Sequence, residues 1–176
     1  MYLFLNLDGI KTSFEIVNYA PTLEEYNNNT PCITSLSLYY KDLLDYKVKG
    51  KKIFLPSELD ALRDALKKLL LDEISEETII SFDEWDFVFI LHPKAINYQV
   101  SLFGDCPEVQ EAYVEWCINL CLDDLGYTRN SITLRMTIEQ VEYFKNYLNY
   151  ITKTIDDTNS IVELMYNENI FIDGTI

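Results

Sequence analysis

The chain has 176 residues, 48% of them hydrophobic and 24% charged, which fits one globular domain over 1–176 and excludes a disordered tail or a coiled coil. At this length folding buries roughly 70% of the extended chain's surface, so no metal or disulfide staple is required. Asp and Glu number 29 against 14 Lys and Arg, and the net charge of −15 repels phosphate backbones and anionic lipid, arguing against direct nucleic-acid binding.

Tyr2 to Leu7 and Ile10 to Tyr19 flank Asp8-Gly9, a dipeptide suited to a two-residue hairpin turn, and predict an opening β-hairpin. Pro21 to Pro31, with three consecutive asparagines, reads as a surface loop. Ile33 to Tyr40 alternates with period two and predicts a half-buried strand, with Tyr46 to Leu55 as its partner. Ser57 then precedes a leucine stripe at Leu59, Leu62, Leu66, Leu69 and Leu70. This predicts a helix over 57–72 with Ser57 as N-cap and Asp60 at the third helical position.

Trp85 to Leu91 reads as a central strand with both faces covered. Ile96, Tyr98, Val100 and Leu102 alternate with polar residues in the cleanest single-faced strand pattern of the chain. Val114 to Leu122 predicts a further long strand, and Ile132 to Met136 a short one. The short strand runs into Thr137-Ile138-Glu139-Gln140, a capping box, followed by a helical stripe from Val141 to Ile155. Ile161 to Tyr166 and Ile170 to Ile172 suggest a closing hairpin.

Together these elements predict an α+β fold, a mostly antiparallel sheet with two amphipathic helices packed on it. The order of strands then helix occurs twice and suggests a degenerate internal duplication. Its registers disagree: the apolar stripes superpose with a shift of 82 residues (Leu59 on Val141), the expected caps with one of 80 (Ser57 on Thr137).

Met1 to Ile10 has no basic flank and is interrupted by Asn6 and Asp8, so no secretion signal is expected. No uncharged apolar run approaches the roughly 18 residues of a membrane span. Cys32, Cys106, Cys117 and Cys121 are unevenly scattered, the pattern of reduced thiols, so a soluble cytoplasmic protein is expected.

No residue pattern announces a chemistry. The run F-L-N-L-D-G-I from Phe4 to Ile10 resembles a phosphatase D-x-D-G-T motif, but Asn6 stands at the nucleophile position and an amide cannot attack phosphorus. Cys117 and Cys121 on one strand lie about 13 Å apart and cannot share a zinc ion without a bend. His92 is the only histidine; as a partly exposed strand-end residue it offers no nucleophile–base spacing. The acidic runs at 83–86, 105–115 and 123–124 contain no calcium-loop spacing, so no metal or cofactor is predicted. With Trp85, Tyr98, Tyr113 and Trp116 interleaved, they suggest instead a docking surface that steers a basic partner onto aromatic anchors. The candidate contact residues are Asp83, Glu84, Trp85, Asp86, Asp105, Glu108, Glu111 and Glu115.

Phe14-Glu15-Ile16-Val17-Asn18-Tyr19-Ala20-Pro21, the Asn-rich loop, the strands from Ile33 to Leu55 and the helix Ser57-Glu58-Leu59-x-x-Leu62-x-x-x-Leu66 together resemble the bacterial WapI-type immunity proteins. The later order of strands around Trp85, Tyr98 and Trp116 and the capped helix extends the resemblance over most of 12–155. Where that family commonly has a Trp at the re-entry of the first long strand, this chain has Pro31-Cys32-Ile33. The resemblance implies a small cytoplasmic protein that binds and blocks a cognate polymorphic toxin domain without catalysis, and it assigns no catalytic residues. Two other readings use the same residues: an adaptor or assembly module with a non-toxin partner, and a carboxylate- or metal-dependent hydrolase, which large stabilisation by divalent ions would reveal.

Overall fold

Asp8 and Gly9 both take positive φ (51° and 85°), as a type I′ turn requires, and close the expected hairpin at the Leu7–Ile10 pair. The structure, a computed structural model, describes residues 1–20, 30–82, 87–99, 106–122 and 126–176. Strands β1 (Tyr2–Leu7), β2 (Ile10–Val17), β3 (Cys32–Tyr40) and β4 (Leu44–Phe54) form an antiparallel meander, followed by helix α1 (Pro56–Leu70). A second meander, β5 (Thr78–Ser81), β6 (Phe87–His92), β9 (Tyr113–Leu122) and β10 (Gly126–Thr137), is followed by α2 (Ile138–Ile151). Between β6 and β9 a separate two-stranded ribbon is inserted, β7 (Ala95–Gln99) with β8 (Cys106–Gln110). Helix α3 (Ser160–Asn167) and β11 (Phe171–Ile172), which pairs with β1, complete the α+β fold.

One face of each sheet builds a shared core. Phe14 on β2 sits edge-on to Phe54, Phe87, Trp116, Phe144 and Tyr147, with ring centroids 5.2–6.2 Å apart, so a single side chain of the first meander touches β6, β9 and α2. Such ring pairs add about 0.5–1.5 kcal/mol each beyond burial. The meanders are also stitched by polar bonds: Arg135 N–H donates to Asp8 Oδ2 (3.0 Å) and Gln140 Nε2 to the Asn6 carbonyl (2.8 Å). Alternation in β9 is as expected, with Val114, Trp116 and Ile118 buried.

Several expectations change. On β6, Phe87, Phe89 and Leu91 are buried but Val88 and Ile90 only half so, and Ile79 beside Ile90 is 63% exposed, so the second face is not covered. Trp85 lies outside the described residues, as do Val100 and Leu102. The supposed clean strand from Ile96 belongs to the ribbon, and its Ile96 is exposed. The closing hairpin is absent: Ile161 to Tyr166 is helical, because Asn159 caps Ile161 N–H (3.0 Å) and Val162 and Met165 bury one helical face. Lys153, in the left-handed region (φ 60°), follows the end of α2 at Ile151, short of Ile155.

Helix α1 begins two residues earlier than its serine suggests. Leu55 is the N-cap, Pro56 opens the helix, and Glu58 Oε2 accepts from Leu55 N–H at 2.7 Å, so Ser57 lies inside the first turn and Asp60 beyond the third position. At α2 the capping box is complete: Thr137 Oγ1 accepts from Gln140 N–H, and Gln140 Oε1 from Thr137 N–H (2.9 Å). The corrected caps remove the disagreement in register. Leu55 and Thr137 stand 82 residues apart, as do the third-position pair Glu58 and Gln140 and the buried pairs Leu59–Val141, Leu62–Phe144 and Leu66–Leu148. A four-stranded meander followed by a helix therefore occurs twice, and its last two strands and helix share one register, β3, β4 and α1 falling on β9, β10 and α2 with that shift, whereas β1 and β2 do not fall on β5 and β6.

Candidate functional site

Both meanders make their longest excursion at the same place, between second and third strands; in the second meander it carries the ribbon. At the ribbon's root, strand pairing sets His92 opposite Tyr113, and Glu115 between Ile90 and Arg135. The His92 ring stacks on Tyr113 with centroids 4.2 Å apart and planes 13° apart, and the Arg135 guanidinium lies 3.7 Å from the Tyr113 ring centroid. Two carboxylates approach the imidazole: Glu77 Oε2 stands 3.3 Å from Nδ1 and Glu115 Oε2 3.6 Å from Nε2. His92 ends β6 and is partly exposed, as expected, with its side chain 18% accessible. Cys117 shares this face of β9 but lies four residues from Tyr113, about 13 Å along the strand, and its Sγ sits 3.5 Å from Thr133 Oγ1. The cluster is therefore a platform of two rings, two carboxylates and a guanidinium.

The ribbon rises from this platform. Lys94 and Glu111 pair at its base (3.7 Å), and above them Ile96 and Val109 face each other across the strands, 57% and 48% exposed. A two-stranded ribbon alone is marginally stable in water, and an exposed cross-strand apolar pair gains from a covering partner.

Of the sequence-derived contact residues, Glu115 joins the His92 cluster, Glu111 stands at the ribbon base, and Glu108 lies in β8 opposite Asn97. Asp83, Glu84, Trp85, Asp86 and Asp105 fall outside the described residues. Trp116, expected among the docking aromatics, is fully buried instead, stacked on Phe89 and Phe144. Sequence reasoning missed Glu77, Arg135, Ile96 and Val109, which come together only through strand register.

A second acidic, tyrosine-bearing face lies on α2 and α3. Tyr143 donates to Glu168 (2.8 Å) and Glu139 (3.2 Å), Tyr150 to Asp157 (2.7 Å) and Tyr166 to Asp173 (3.0 Å). Hydrogen bonding to Glu168 and to Asp157 pushes Tyr143 and Tyr150 up to about 12. The only signal in the sequence was the four-residue spacing of Glu139 and Tyr143. In the furrow of about 620 Å³ between α1 and α2, Arg63 is already engaged: its Nη1 donates to Asp60 (2.8 Å) and Thr152 (3.0 Å) and its Nη2 to Asp64 (3.1 Å). Among the described residues no group of three or more His, Cys, Asp or Glu could hold a metal ion, and no helix is long and apolar enough to cross a membrane.

Compared with family models, with curated proteins and with solved structures, the chain finds no significant match in any of the three.

Proposed function

We propose that this chain is an acidic binding protein of the immunity kind, which acts in the bacterial cytoplasm by occupying a basic toxin domain and performs no reaction of its own. The observation that carries the reading is the ribbon, where the exposed Ile96–Val109 pair rises beside Glu111 from the ring-and-charge platform. A net charge of −15 steers a cationic partner toward such an arm, and the apolar pair supplies anchors that lose water on contact. The resemblance to WapI-type immunity proteins gives the partner its class, since a toxin domain that attacks nucleic acid presents a cationic groove.

The test is co-expression with the C-terminal domain of a secreted protein encoded next to this chain. Rescue of growth, with a purified one-to-one complex that weakens as salt rises from about 0.05 to 0.5 M, supports the reading. Two soluble proteins that fail to bind sink it. A complex with a non-toxic neighbour favours the adaptor reading.

A further inference from the structure

The first sheet ends in a basic strand. Among the described residues β4 is last in its sheet and pairs with β3 on one side only. Lys41, Lys47, Lys49, Lys51 and Lys52 fall within twelve residues of a chain whose acids outnumber its bases 29 to 14. Pairing with β3 sorts the strand's faces. Tyr46 opposite Leu38 and Val48 opposite Leu36 lie on the core side, whereas Lys47 opposite Ser37 and Lys52 opposite Ile33 lie on the outer side. Lys49 sits in the bulge between the Leu36–Val48 and Thr34–Lys51 pairs, where Gly50 N–H donates to Ser35 Oγ. Leu44, Tyr46 and Val48 are only half-buried, and the lysines are exposed. Lys47 has a carboxylate partner, Asp45 at 3.5 Å; among the described residues Lys49, Lys51 and Lys52 have none.

We infer that β4 is a docking edge for an extended partner segment in which apolar and acidic residues alternate. An added strand would take up the main-chain N–H and C=O groups that an edge strand presents. Its apolar residues would extend the cover over Leu44, Tyr46 and Val48, and its carboxylates would face Lys47, Lys49 and Lys52, because side chains alternate between faces. At physiological salt the Debye length is about 8 Å, so the local sign at β4, not the overall −15, decides which partner is attracted. Two copies of this edge paired about Val48 would set Lys47 against Lys49, which disfavours self-association in that register. The edge belongs to the first meander and calls for the opposite charge to the ribbon's partner, so the inference stands apart from the toxin reading.

The experiment titrates the full-length protein into a fluorescein-labelled peptide of five Val-Glu repeats at about 0.15 M NaCl. Amide hydrogen exchange over 44–54 is the second readout. Saturable binding, slowed exchange over those residues, and an affinity about tenfold weaker in Lys47→Glu/Lys49→Glu/Lys52→Glu are expected. If charge reversal unfolds the sheet, Lys47→Gln/Lys49→Gln/Lys52→Gln makes the same comparison with neutral side chains. Absence of binding, equal binding by the triple variant, or binding without slowed exchange would overturn the inference. Equal binding of a ten-nucleotide oligothymidylate would also overturn it, by showing a general polyanion surface.

Discussion

The hydroxyl of Tyr147 on α2 accepts the backbone N–H of Ile16 on β2 at 2.7 Å, a buried bond spanning 131 residues of chain. The pairing of β1 with β2 ends at Leu3–Phe14, so this N–H lies past the end of that ladder and takes its acceptor from a helix. Tyr147→Phe keeps the ring and leaves the N–H unsatisfied, which should cost about 1–3 kcal/mol. Urea denaturation should show a lower midpoint with an unchanged slope; an unchanged midpoint would mean that the N–H finds another acceptor.

The tyrosines make stability sensitive to alkali. Burial, aided by the charge of Glu15 and opposed by the Ile16 bond, keeps the Tyr147 phenol protonated far above its ordinary range; Tyr143 and Tyr150 reach about 12. Each folded-state value lies above the unfolded value near 10, so the folded chain holds these protons more tightly. Their contribution is fully present below about pH 10 and is lost as pH rises through the folded values. Tyr143 and Tyr150 are partly exposed and screened by solvent, so Tyr147 should dominate. The thermal midpoint should hold level from about pH 7 to 9 and fall above about 10, less steeply in Tyr147→Phe.

The helix starts give a sharper contrast. Thr137→Ala removes one arm of a complete capping box and should cost about 1 kcal/mol, and Glu58→Ala a similar amount through the Leu55 N–H. Ser57→Ala should change stability by less than about 0.5 kcal/mol, because that serine is not the cap. A large loss in Ser57→Ala on thermal denaturation would contradict the assignment of Leu55.

The ribbon separates folding from binding. Ile96→Thr with Val109→Thr replaces two exposed apolar side chains outside the core by polar ones that keep the β-branched shape, and should move stability by less than about 0.5 kcal/mol. The same pair should weaken binding of the cognate basic domain by about tenfold or more, measured by calorimetry. Unchanged affinity would remove the ribbon from the interface.

Features written within a few consecutive residues were legible before the structure: the Asp8-Gly9 turn, the β9 alternation and the Thr137–Gln140 box. Ile96 is exposed despite its place in a clean alternation, because alternation marks what a strand could bury, and only the arrangement of sheets decides what is buried. Helix α3 is too short for a clear helical period, and its Ile161-Val162 start imitates a strand. Glu77, His92, Glu115 and Arg135 meet through strand register alone, and Trp116 left the expected surface because its alternation partners already claimed the core. The duplication was visible but blurred, since a serine two residues inside α1 imitated the cap.

Because Phe14 rests on Phe87, Trp116 and Phe144, neither half of the molecule owns a complete interior. A protease cut in the connection after α1, before Thr78, would yield two fragments, each with a bare hydrophobic wall shaped to the other. Reassembly of such fragments would restore the whole, while either one in isolation would aggregate.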